Sequence, residues 1–279
     1  MSIVAALAHP WYGKFFPTLS ERLNRSLSRG SLPMLCHVPV SHYSEKARWA
    51  LDFKRVPHTR RWPPGGLHPV VTWLLTEGRG QTVPVLVMDG EGIGDSTEII
   101  RRLEERVPDP PLYPSDPEER RRALELEDYF DEELGPYVRR MAYHHMTTDP
   151  ELLGELAAHQ VQYGVDALEP FTKWTLRQFL NLRFATGSAE RARDAEERVE
   201  RALDRLDAEL DGREYLAGER FSVADLTAAA LLYPFALPPQ TPWAPSRLPD
   251  AWMEFQQRNG GRPSHAWVLE MYSRHRSAG

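Results

Sequence analysis

The stretch VPDPPLYPSDP, residues 107–117, holds five prolines in eleven positions. Proline has no backbone N–H and a fixed φ, so no helix or strand interior runs through such a segment, and it reads as a stiff linker. It separates two unlike patterns. From about 33 to 107, short apolar runs alternate with helical periodicity, whereas from about 117 onward the pattern is helix after helix with almost no strand signal. A chain of 279 residues with 41% apolar side chains is long enough for two cooperating domains, each with a core. The expected division is an unassigned extension over 1–30, a mixed α/β domain over 31–107, the linker over 108–117 and an all-helical domain over 118–279.

In the first domain LPMLCHV reads as a buried strand, followed by a helix over 44–55 whose Ala47, Ala50 and Leu51 share a face. Weaker signals give a strand over 58–62 and a helix over 68–76. TVPVLVMD and GEGIGD form a hairpin with glycines near the turn, and Ile99, Ile100, Leu103 and Val107 then recur at helical spacing. The order is βαβαββα. In the second domain the pattern predicts helices over 117–146, 150–184 and 188–211, the last with Val199, Leu203, Leu206 and Leu210 as its apolar stripe. FSVADLTAAALLY follows, with Ser222 and Asp225 spaced as a capping box before an apolar, buried helix.

Charge and cysteine usage remove several function classes. A net charge of −6 lacks the positive face that nucleic-acid binding needs, and the arginines at 120–122 sit among Glu118, Glu119, Glu125 and Glu127 as a solvated helix surface laced with ion pairs. One cysteine, Cys36, leaves no internal disulfide, no redox dithiol and no cysteine pair for zinc; it reads as a small buried residue. No metal site is expected, since His144 and His145 are adjacent and diverge by about 100° on a helix. The first residues lack a basic n-region, and no apolar run reaches the roughly 18 to 20 residues that span a bilayer, so a soluble, cytoplasmic protein is expected.

Four stretches carry a family resemblance over roughly residues 33 to 275: VSHYSEKARWAL after the first strand, TVPVL before the third, GDSTEII opening the third helix, and GERFSVADLTAAALL in the helical half. In order and spacing they resemble the glutathione transferase superfamily, in its serine-type form. The resemblance implies a thioredoxin-like N-terminal domain that holds glutathione, an all-α C-terminal bundle that completes a pocket for a small hydrophobic electrophile, and a homodimer.

Such chemistry needs the glutathione sulfur as thiolate, yet a free thiol with pKa of about 8.5 is only a few per cent ionised at neutral pH. A helix N-terminus contributes about 0.3–1 kcal/mol to an anion and a hydrogen bond to a charged group about 1.5–3 kcal/mol, together enough to lower a pKa by roughly 1.5 to 2 units. Ser41 matches the family's serine or cysteine position and is the expected thiolate donor, with a plain helix cap as the other reading of Ser41 or Ser44. With serines at 41 and 44, thiol redox chemistry through this motif is closed. Tyr43 is the nearest alternative phenol, and His42 reads as an exposed loop histidine.

The remaining assignments follow from the same resemblance. Pro84 matches the family's cis proline, which turns the Val83 backbone toward the cysteinyl amide. Asp95 and Ser96 match the pair at a helix start that receives the γ-glutamyl group, with helix capping as the simpler role. Tyr137, Met141 and His144 are placed in the electrophile pocket by position along the first bundle helix, and Trp174 is assigned to the core. The alternative to an enzyme is a non-catalytic binding or scaffold protein that keeps the fold.

Overall fold

Leu35, Leu86 and Ile93 point to one face of a sheet while Met34, Cys36, Val85 and Val87 point to the other, the period of two that a pleated strand imposes. The computed structural model describes residues 20–24, 26, 32–63, 67–160, 169–241 and 243–276. Most of the 1–30 extension therefore lies outside the described residues. Strands β1 (Met34–Cys36), β2 (Thr59–Arg61), β3 (Val85–Met88) and β4 (Glu91–Gly94) form one sheet in the order β2-β1-β3-β4. β1 runs parallel to β2 and antiparallel to β3, and β3 and β4 make a hairpin. Asp89 and Gly90 turn that hairpin at φ 54° and 83°, the left-handed pair that a two-residue turn needs.

Helices α1 (His42–Phe53) and α3 (Ser96–Arg106) cover the Leu35 face through Ala47, Ala50, Ile99 and Leu103, and α2 (His68–Leu75) covers the other through Leu75. This is the thioredoxin-like βαβαββα order expected from the pattern. The proline-rich segment is pinned rather than loose: Lys54 Nζ donates to the carbonyls of Val107 and Pro110 at 2.7 and 3.0 Å, and the Val223 amide donates to Leu112 O at 2.8 Å.

The second half is a helical domain: α4 (Pro117–Glu133), α5 (Gly135–Thr148), α6 (Pro150–Gln160), α7 (Glu169–Phe184), α8 (Ala189–Glu209), α9 (Val223–Ala236), α10 (Asp250–Asn259) and α11 (Pro263–His275). The helix expected over 117–146 is broken at Leu134, because Pro136 cannot donate to a carbonyl one turn back and instead fits the first turn of a new helix. Of the helix expected over 150–184, Pro150–Gln160 and Glu169–Phe184 are helical, and residues 161–168 lie outside the described set. α9 is buried along nearly its whole circumference, as its Ala/Leu composition requires, and packs against α1, α4, α5 and α11. Trp174, expected in the core, is 59% exposed on α7. In the 120–122 cluster Arg121 bridges Glu118 and Glu125 on the surface as expected, but Glu127 is fully buried against Lys46 of α1.

Gly135 opens α5 where the Tyr43 ring crosses it. A Cβ there would overlap the Tyr43 hydroxyl, which donates to the Asp131 carbonyl at 2.9 Å. Gly135→Ala is expected to lower the unfolding free energy by about 1–3 kcal/mol, read from the urea midpoint; an unchanged midpoint would show that Tyr43 yields freely.

Candidate functional site

The sheet register gathers three loops. Cys36 lies opposite Val85, and Val85 opposite Gly94, so the chain leaving β1, the chain entering β3 and the chain leaving β4 emerge side by side at one end of the sheet. These are the segments that carry Ser41, the Val83–Pro84 peptide and Asp95–Ser96. The Val83–Pro84 bond is cis. Asp95 caps α3, its Oδ1 accepting from the amides of Thr97 and Glu98 at 2.9 and 3.3 Å, and holds a sparsely populated backbone at φ 69° that costs about 1–3 kcal/mol. Ser96 beside it is buried.

Ser41 is the N-cap of α1, and its Oγ accepts from the Ser44 amide at 3.2 Å. A hydroxyl has one proton and two lone pairs, so accepting from the helix leaves the proton to donate elsewhere: the capping and donor readings are compatible in one side chain. Ser44 is fully buried and its Oγ accepts from the Val38 amide at 3.4 Å, which ties it to the loop. That loop is held from three sides. Arg48 bonds His37 Nδ1 at 2.9 Å and the Pro39 carbonyl at 3.0 Å, while the Tyr233 hydroxyl of α9 donates to Val40 O at 2.6 Å. Cys36 at the end of β1 is buried and its thiol is pushed up to about 12 by desolvation, which keeps it protonated.

One expectation for this loop is corrected, and the alternative donor is ruled out. His42 is the first residue of α1 and is buried, not exposed; burial first and Arg139 second lower its pKa to about 3, so its imidazole is neutral. Tyr43 spends its proton on Asp131 O, and burial holds its phenol well above the ordinary range, which removes it as a thiolate donor.

Between the start of α1 and the helical domain lies a narrow, mostly apolar cavity that opens to solvent. Val40 and His42 form one wall, Arg139, Tyr143 and Met146 of α5 another, and Tyr233, Trp243 and Trp252 close it. Tyr137, Met141 and His144, expected in this pocket, do not line it. Met141 is fully buried in the main core, His144 Nδ1 bonds the Thr186 carbonyl at 2.6 Å, and Tyr137 lies under the guanidinium groups of Arg140 and Arg198. The stripe that does face the cavity, 139, 142, 143 and 146, is offset by two positions, about 200° of helix rotation. Among the described residues no group of three His, Cys, Asp or Glu side chains could hold a metal, and no helix is long and apolar enough to cross a membrane.

Residues 35–111 match the family described as Glutathione S-transferase, N-terminal domain, and residues 162–254 match Glutathione S-transferase, C-terminal domain. FtsZ-localized protein A of Caulobacter vibrioides is 26% identical over 243 residues, covering 82% of this chain and 89% of that protein. A probable maleylacetoacetate isomerase 1 of Drosophila melanogaster is 34% identical over 162 residues, 56% of this chain and 64% of that protein. A solved glutathione S-transferase from Methylobacillus flagellatus with GSH bound aligns over 88% of this chain and 96% of its own, with a TM-score of 0.53 at 17% identity, a likeness of fold.

Proposed function

The chain belongs to the glutathione transferase superfamily, and from that premise we propose that it is a glutathione-dependent transferase with Ser41 as the group that stabilises the thiolate. Glutathione would supply the nucleophilic sulfur. The Ser41 hydroxyl donates to that sulfur, and the N-terminus of α1 adds the positive end of its dipole. The Val83 backbone pairs with the cysteinyl amide beside Pro84, and Asp95 with Ser96 receives the γ-glutamyl group at the start of α3. The cavity beside His42 takes the electrophile. A homodimer, a cytoplasmic location, and the division into a glutathione-binding domain over 31–107, a linker over 108–117 and a helical domain over 118–279 belong to the same proposal.

One observation carries the reading: three loops with the required donors and acceptors converge at one sheet end, next to a largely apolar cavity at the mouth of α1. The second reading, a binding protein that keeps the fold without the chemistry, draws support from the likeness to FtsZ-localized protein A, which extends over most of both chains.

Titration with glutathione, followed by calorimetry and by ultraviolet thiolate absorbance, separates the two when repeated with Ser41→Ala. Saturable binding is expected in both proteins, with the bound thiol's pKa rising by about 1 to 2 units in the variant, the worth of one charge-assisted hydrogen bond. Binding without ionisation in the native protein selects the binding-protein reading. An unchanged thiolate signal in the variant removes Ser41 and leaves the backbone amides of α1.

A further inference from the structure

The described residues hold many arginines, and most sit in ion pairs; Arg139 does not. It is half-buried on α5 and has no carboxylate within ion-pair distance among the described residues. Its guanidinium lies instead over two rings, 4.4 Å from the centre of Phe184 and 5.5 Å from that of Tyr43. Two more cations crowd the same place. Arg140 Nε donates to the Phe184 carbonyl at 3.2 Å, and the Arg183 guanidinium lies 5.3 Å from the Phe184 ring. Burial chiefly holds Arg139 below its ordinary pKa, with Arg183 and Arg140 adding to it; the Tyr43 and Tyr143 phenols act in the other direction, and no carboxylate does. A half-buried cation stacked on two rings keeps guanidinium donors that a neighbouring carboxylate can engage.

Among the described residues Arg139 is also the one cationic side chain in the cavity wall, the other polar groups there being the Tyr143 and Tyr233 phenols, the Trp243 and Trp252 indoles, the His145 ring and the neutral His42 ring. His42 is 3% exposed and its Nε2 has no hydrogen-bond partner, a second polar group left for an occupant. The remainder of the wall is apolar and aromatic, with Met146, Leu248, Trp243 and Trp252 among its surfaces.

We propose that this cavity takes an acceptor with an apolar or aromatic body that bears a carboxylate, and that Arg139 is the residue that binds the carboxylate. The proposal deepens the transferase reading by naming the class of electrophile, and it rests on that reading only in calling the ligand a substrate. A planar guanidinium forks two parallel bonds to a carboxylate, which fixes the orientation of the acceptor as well as its affinity.

The test uses the full chain and a matched pair of probes, 4-phenylbutanoate and 4-phenylbutanamide, titrated by calorimetry into the native protein, Arg139→Gln and Arg139→Lys, with glutathione titrated separately. The native protein is expected to bind the carboxylate about tenfold or more tightly than the amide, the equivalent of one charge-assisted contact. Arg139→Gln is expected to lose that preference while still binding the amide, and Arg139→Lys to keep part of it. Equal binding of the two probes to the native protein, binding of neither, or a preference that survives in Arg139→Gln would overturn the proposal. Glutathione bound without a carboxylate preference refutes this inference alone; a carboxylate preference without glutathione binding refutes the transferase reading and leaves the site standing.

Discussion

Lys46→Met is expected to lower the unfolding free energy by about 3–5 kcal/mol, the loss typical of a buried charge deprived of its partner. Lys46 is fully buried on α1, with Nζ 2.9 Å from Glu127 Oε1, 2.6 Å from Asp131 Oδ2 and 2.9 Å from Thr97 Oγ1. Burial alone would lower its pKa, but Glu127 and Asp131 outweigh that and raise it, so the lysine is held charged. Its removal strands Glu127, which is also fully buried, inside the contact between α1 and α4. Against a total of about 5–15 kcal/mol for an ordinary domain, the urea midpoint should fall visibly. A functional consequence follows from Thr97, which donates to Asp131 at 2.6 Å and sits one residue past Ser96. The network ties the start of α3 to the helical domain, so glutathione affinity should weaken in the same variant. Adding Glu127→Leu should recover part of the stability by removing the stranded charge. A Lys46→Met midpoint equal to the native one would refute this account.

Asp225→Ala is the second large effect, about 2–4 kcal/mol, since two buried backbone amides lose their acceptor at once. Asp225 Oδ1 accepts from the Leu216 amide at 2.8 Å, and Oδ2 accepts from the Ser222 amide at 2.8 Å and the Ser222 hydroxyl at 2.7 Å. Desolvation raises its carboxyl to about 6 despite those bonds. The sign follows from that direction: the folded protein holds the proton more tightly than the unfolded chain. Its stabilising contribution is complete below the ordinary carboxylate pKa and is lost as pH rises through about 6. The native protein should therefore gain stability from this group between pH 7 and pH 5, by about 1 kcal/mol. Asp225→Ala cannot gain it, so the gap between the two proteins should widen at the lower pH. Denaturant melts at both values measure this, and a gap that stays the same at pH 7 and pH 5 would show that Asp225 is ionised throughout.

The α/β order, the hairpin, the all-helical second half and the helix caps at Ser41, Asp95 and Ser222 are legible in the chain because each depends on residues within a few positions of one another. A cap oxygen reaches an amide two or three residues ahead, and an apolar stripe repeats along its own helix. The same local rules left the cavity wall open. Tyr137, Met141 and His144 form a helical stripe as regular as that of Arg139, Tyr143 and Met146, and periodicity alone cannot say which stripe meets the cavity and which meets the core. His42 gave no local sign of burial, since Gly135 and Arg139 arrive from another helix.

By itself, then, the amino-acid order determined the βαβαββα order, the run of helices after it, and which hydroxyls and carboxylates stand at the N-termini of several of them, though not the break at Leu134. The tertiary structure alone decided that Glu127 is the buried partner of Lys46, that Arg139 lies over the Phe184 and Tyr43 rings beside the cavity, and that Tyr43 is engaged by Asp131 O. The reason is physical: propensity and capping act over one turn, whereas burial, desolvation and charge pairing depend on whatever distant segment packs against a side chain, and that partner is known only when the chain is folded.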